Sequence, residues 1–283
     1  MSRAQRLRQA AKIRRRIIVI ERLFTARIEA EMDRAARQMG EDFGHGGLER
    51  AIVGLDESRE NLRAILEDLY AMAGDSALKL LQEAYGGKAH IGKIETKGAI
   101  TEALTRLSLS WAQLAFEKVV GITNTTIEML RLATINAVQE GTPERELGPI
   151  IQQTMGSTSK WRGRMIARTE THAAVMESQH ELIKDMELPE YQREWLSGSD
   201  GRVRKSHKRA NGQRVGPDEP FDVGGDKLMY PGDRSGKPAN VINCRCTTVA
   251  VFDDESDQSQ IESTTSTSIQ EDLPTFFTDN GVR

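Results

Sequence analysis

At 283 residues, with 38% hydrophobic and 5% aromatic residues against 29% charged, the chain has the profile of long helices with much solvated surface, not of one thick core. Two cysteines one residue apart exclude a disulfide framework, and no apolar run approaches the length that crosses a bilayer, so no membrane contact is expected. The net charge of −3 hides a segregation: Arg3, Arg6, Arg8, Lys12, Arg14, Arg15 and Arg16 open the chain without an acid, and an acidic stretch follows Phe252.

Glu21 and Arg22 interrupt the apolar run that an export signal would need. The chain therefore reads as soluble and made in a reducing compartment. Ile13, Ile17, Ile20, Phe24 and Ile28 predict one helix over 1–39, closed by Gly40. Its basic residues form either a solvated face or a contact for double-stranded DNA or an acidic surface. Any such DNA contact would be non-specific and salt-sensitive. After a joint at Gly44-His45-Gly46-Gly47, a helix with Leu48, Ile52, Leu55, Leu62, Ile65, Leu69 and Met72 is expected to stop at Gly74. A shorter one through Leu78 and Leu81 ends at Gly86-Gly87. The next starts near Thr96 and carries Ile100, Leu104, Leu107, Trp111 and Leu114, with Trp111 as a packing anchor. Gly121 breaks the run before Ile127 and Leu130.

Gly141-Thr142-Pro143-Glu144 is a helix start, with Gly closing the previous helix and Pro suited to the first position. Gly148-Pro149 is expected to bend this helix and Met155-Gly156-Ser157 to end it, before a long one from Ser159 to Leu188-Pro189. From Tyr191 the pattern changes. Tyr191, Arg193 and Trp195 alternate as in a short strand, and Asn211-Gly212 is a tight-turn signal. Gly and Pro pairs then punctuate a compact, loop-rich α+β module, which a strand over 242–252 closes. Beyond Phe252 the Ser/Thr/acid composition predicts a flexible tail with one apolar patch at Leu273-Pro274-Thr275-Phe276-Phe277. The expected domains are a helical arm and bundle over 1–142, the module over 143–252 and the tail over 253–283. The fold class is α+β, with a small antiparallel sheet.

Within the module one ordered set of residues stands out. Arg168-Thr169-Glu170 lies on a helix, followed by Trp195, Asp200-Gly201-Arg202, His207, Gly212, Phe221, Pro231-Gly232-Asp233 and Asn243-Cys244-Arg245-Cys246. In order and spacing, this set resembles the phage Mu F-like family, also called the phage head morphogenesis or minor head protein family, over roughly residues 145–252. The resemblance implies a structural role in head morphogenesis of a tailed phage. Its expected partners are the portal protein, the major capsid or scaffolding protein and packaged DNA, with a place in the virion and in host cytoplasm during assembly. Many members carry a Cys-x-x-Cys pair where this chain has Val203 to His207.

The motif residues have physical readings of their own. Cys244 and Cys246 are read as two small buried thiols packed under a helix. The alternative is zinc held by the pair with His207 or Asp200, and no cofactor is otherwise expected. Arg168 and Glu170 are expected to tie the helix to the loop module, and Asp200 to make a turn before Gly201. His207, Glu170, Asp200 and Arg202 are also residue types that a nuclease or transferase uses. No nucleophile–base pair or phosphate-cradling loop accompanies them, so no enzyme is expected. A following toxin domain is not expected either, since about thirty residues come after Phe252.

Overall fold

The structure is a computed structural model that describes residues 1–85, 94–186, 188–198 and 200–252. The acidic tail with its Leu273–Phe277 patch, Gly86-Gly87 and Ser199 lie outside the described residues, as do the side chains of residues 94–101 and 144. The chain is α+β, with long helices first and small antiparallel sheets after them.

Four long helices carry the first two-thirds: α1 (Arg3–Val53), α2 (Leu55–Tyr85), α3 (Ile94–Gln139) and α4 (Glu144–Lys184). Ser2 starts α1 with a capping box, its hydroxyl accepting from the Gln5 amide while the Gln5 side chain accepts from Ser2. α1 runs opposite to both α2 and α4. Arg27 meets Asp68 and Gln9 meets Tyr85 between α1 and α2, whereas Arg168 meets Glu21 and Arg164 meets Glu29 between α4 and α1. The apolar stripe foreseen on α1 is buried along its length, from Ile13 to Ile28. Its cluster takes in Leu66 and Leu69 of α2, Trp111 of α3 and Val175 of α4. No helix among the described residues is long and apolar enough to cross a membrane.

The helices are longer than the glycine pattern predicts. α1 runs on through Gly40 to a kink at Gly46 and Gly47, α2 passes through Gly74, and α3 passes through Gly121. α4 holds both Pro149 and Gly156 inside it. The physical reason is that several of these glycines serve close approach. A Cβ on Gly40 would lie 2.8 Å from the Gly148 carbonyl oxygen, and one on Gly148 would lie 2.7 Å from that of Gly40, so the α1–α4 crossing needs both bare. A Cβ on Gly74 would sit 2.2 Å from the Trp111 ring.

The module contains β1 (Gln192–Leu196), α5 (Lys205–Arg209), β2 (Arg214–Val215), β3 (Phe221–Val223), β4 (Asp226–Leu228), α6 (Pro238–Val241) and β5 (Thr247–Val251). β1 is central, antiparallel to β2 on one side and β5 on the other, and β3 and β4 form a separate hairpin. Gly224 and Gly225 close that hairpin with φ of 65° and 88°, the double left-handed turn that matches strand twist. The three-stranded sheet lies between two cores. Leu196, Val249 and Val251 join the helical core, while Trp195 joins a small one with Ala210, Val215, Phe221, Val223, Leu228, Cys244 and Cys246. The main helical core thus takes in residues from both sides of position 142. At the sheet edge the Ala250 amide donates to the Tyr85 hydroxyl at 2.8 Å, and Gln9 donates to the same oxygen at 2.7 Å. Two helices therefore cover an otherwise open strand edge.

The closing strand is shorter than its expected 242–252 span. Asn243 has φ of 57°, a left-handed conformation that ends strand geometry, so Cys244 and Cys246 sit on an irregular segment ahead of β5.

Candidate functional site

α4 binds the module through three groups of polar contacts. In the first, Glu170 is buried and accepts from the Tyr70 hydroxyl at 2.8 Å and from Arg234 at 3.2 Å. Arg234 also reaches Glu177 at 2.5 Å and stacks over the Tyr70 ring at 5.6 Å. Burial works against the Arg234 charge, but Glu170, Tyr70 and Glu177 outweigh it and hold its pKa above the ordinary value. Burial, and then Glu170, pushes the Tyr70 hydroxyl well above its usual range. The group is one interlocked knot of α2, α4 and the module.

The second group fixes the Asn243–Cys246 segment. The Asn243 amide donates to the Thr169 hydroxyl at 3.2 Å, and His172 Nε2 donates to the Cys246 carbonyl at 2.8 Å. Burial lowers the His172 pKa, so the ring stays neutral with its proton on Nε2. Gly232, at φ 87°, packs against the same ring, and a Cβ there would lie 2.8 Å from Nδ1.

Arg193 organises the third. It is buried at 3% exposure, places its guanidinium over Phe221 at 5.2 Å, and donates to the Met229, Glu219 and Gly216 carbonyls. It also donates to His180 Nδ1 at 3.1 Å. Burial, followed by the charges of Arg193 and Lys184, lowers the His180 pKa to about 3.

Inside the small core, His207 Nδ1 stands 3.4 Å from Cys246 Sγ and 3.7 Å from Cys244 Sγ. All three residues are buried, and Trp195 meets the imidazole edge-on at 5.7 Å. His207 Nε2 is buried without a hydrogen-bond partner. The Cys244 thiol, despite burial, pulls Cys246 down to about 4, helped by His207 and the Gly198 amide, while Cys244 itself is pushed well above its usual value.

The remaining candidates fall at different places. Arg168 does not reach the loop module as expected. It pairs with Glu21 of α1 at 2.8 Å, because its position on α4 faces the neighbouring helix. Asp200 accepts from the Arg202 amide at 3.3 Å, a local turn, and faces Arg245 at 3.5 Å. Arg202 is exposed. Gly212, at φ 82°, donates its amide to the Trp195 carbonyl at 2.8 Å and sets the turn that feeds β2. Phe221 packs edge-on to Trp195 at 5.3 Å.

The basic arm divides in two. Arg6 is buried against Glu194 at 2.9 Å, and Arg14 donates to the Ser197 carbonyl at 2.7 Å. Arg16 donates to Ser76, and Lys12 faces Glu83 at 3.6 Å. Arg3, Arg8 and Arg15 are exposed. Counter-charges invisible in the local sequence arrive from α2 and β1. Sequence reasoning also missed Tyr70, His172, His180, Arg193 and Arg234. Glu170 and Glu177, seven residues apart, share one face of a helix otherwise rich in buried alanines, and that pair was the available signal.

Residues 128–249 match the family described as Phage Mu protein F like protein. This stretch is Mu F-like. It begins in the last part of α3, earlier than the 145–252 range carried by the motif, and ends within β5. A curated protein of Enterococcus faecalis, NAD(+)--arginine ADP-ribosyltransferase EFV, is 30% identical over 122 residues, 42% of this chain and 24% of that protein. The chain thus spans about a quarter of that relative's length. No solved structure matches. Within the Mu F-like stretch, the contacts of Thr169, Glu170 and His172 hold the helix against the Asn243–Cys246 segment.

Proposed function

We propose that this chain is a minor head protein of a tailed bacteriophage, a virion component held at the portal vertex or inner capsid during head morphogenesis. The Mu F-like match carries the reading. Its motif residues give it support, since they serve as contacts between layers. His207, the side chain best suited by type to acid–base work, is 1% exposed and enclosed by Trp195 and the two thiols. The surface offers a second support. Leu109, Phe116 and Val120 are exposed on α3 at steps of seven and four, one apolar stripe on a helix whose other face is in the core. The occupant we assign to that stripe is the portal protein. Arg3, Arg8 and Arg15 are assigned to non-specific contact with packaged double-stranded DNA.

Co-expression with the portal protein encoded beside it tests the reading. The chain should co-purify with the portal, and Phe116→Asp should weaken the association while leaving the helical circular dichroism unchanged. Absence of the chain from purified heads, or a portal that ignores it, would overturn the proposal. The transferase reading rests on the partial identity to the Enterococcus faecalis protein. NAD(+) turnover by the purified chain, abolished by His207→Ala without loss of folding, would favour it.

A further inference from the structure

We propose that His207 Nδ1, Cys244 Sγ and Cys246 Sγ form a zinc site that pins the loop-rich module. The distances are the first argument. Zinc bound tetrahedrally by sulfur at about 2.3 Å and nitrogen at about 2.05 Å sets its ligands about 3.6 Å apart, and the two nitrogen–sulfur separations here are 3.4 and 3.7 Å. Two thiolate donors and one imidazole are also the donor set that borderline-soft zinc prefers over hard cations.

The second argument is how the ligands are held. Cys244 and Cys246 are two residues apart on a segment that is not a strand, so neither pleat nor helix aligns them. Asn243 takes a left-handed φ of 57° just before them, and Thr169 and His172 fix the backbone on either side. Such anchoring of the ligand-bearing loop from a neighbouring helix is what a metal site requires of its surroundings. His207 comes from α5, with Trp195 against its ring.

Packing alone leaves the imidazole unexplained. A ring that is 1% exposed, in a core of Trp195, Phe221, Val223 and Leu228, is desolvated, and its Nε2 finds no hydrogen bond. An apolar side chain would fill the same space without that cost. Coordination through Nδ1 would give the imidazole a role that an apolar side chain cannot fill, with Nε2 still unpartnered. Among the described residues no fourth His, Cys, Asp or Glu joins the group, so the fourth position of a bound zinc would fall to a ligand such as water. The benefit is local. The small core is thin, and a metal is a common way to staple one.

The test uses the full chain, purified without chelator. Elemental analysis should find one zinc per chain, and the Cys246→Ser variant should lose it. Because that variant can fail to fold, cobalt(II) added to the metal-stripped wild-type chain provides a second readout. A thiolate-to-cobalt charge-transfer band with tetrahedral d–d absorption supports the site. No zinc above buffer background together with no cobalt band overturns it, as does zinc retained in full by the Cys246→Ser chain. Recovery of the two cysteines as a metal-free disulfide overturns it too.

Discussion

Lowering the pH from 7 to 5 should destabilise the fold through His180. The ring accepts from Arg193, a side chain that only donates, so protonating Nδ1 would set two N–H groups against each other. Burial, Arg193 and Lys184 hold its pKa at about 3, against 6.5 in the unfolded chain. Glu181, 3.8 Å from Nε2, is more exposed and does not reverse the effect. A histidine whose folded pKa is depressed loses stability as the pH falls through its unfolded value, since only the unfolded chain takes up the proton. At pH 5 the unfolded ring is almost fully charged and the native ring is not, which corresponds to about 2 kcal/mol. His172 is lowered as well and acts in the same direction. Asp222 and Asp226 have lowered pKa values, and their contributions fade only below the ordinary carboxylate range, outside this window. Urea unfolding of the wild type and of His180→Gln at both pH values isolates the effect. Gln keeps an acceptor for Arg193 and cannot take a proton, so the variant should lose markedly less stability on acidification. Equal acid sensitivity of the two chains, or an NMR titration of His180 with a midpoint above pH 5, would refute the reasoning.

Glu170→Ala should cost about 1–3 kcal/mol in urea unfolding, because it leaves the buried Tyr70 hydroxyl unpaired and Arg234 with Glu177 alone. Arg168→Ala, which removes a pair partly open to solvent, should cost about 1 kcal/mol or less. Glycine-to-alanine changes should split by sign. Gly74→Ala drives a methyl into Trp111 and should destabilise by about 1–3 kcal/mol, whereas Gly121→Ala meets nothing within 4 Å and should stabilise by about 0.5–1 kcal/mol, as shifts in thermal midpoint will show. Replacing Arg3, Arg8 and Arg15 together by Gln should reduce the salt dependence of duplex-DNA binding by a log–log slope of roughly 2–3. An unchanged slope would remove them from the DNA contact.

The fold class was legible because periodicity survives without tertiary information: Ile13, Ile17, Ile20, Phe24 and Ile28 name the buried face of α1 unaided. Element boundaries were not, because glycine has two uses. Gly40 and Gly74 read as stops and Gly148 as a bend or break, but they are places where another helix or an indole ring comes too close for a side chain. The closing strand was drawn too long because nothing in its composition announces a left-handed Asn243. Of the candidate site, the ordered motif named Glu170, His207, Cys244 and Cys246. Their partners Tyr70, His172 and Arg234 depend on long-range contacts that no local pattern encodes. The basic arm misled for the same reason, since the acid that holds Arg6 lies on β1.

The covered sheet edge has a consequence for how the chain is made. Gln9 and Tyr85 meet Ala250, so α1 completes its packing only after β5 has been made. Until α4 has been made, the stripe from Ile13 to Ile28 lacks that part of its cover, and the nascent chain carries bare apolar surface. Contacts between such distant parts of a sequence make for slow folding. Exposure of that surface during translation is thus built into the order of the elements.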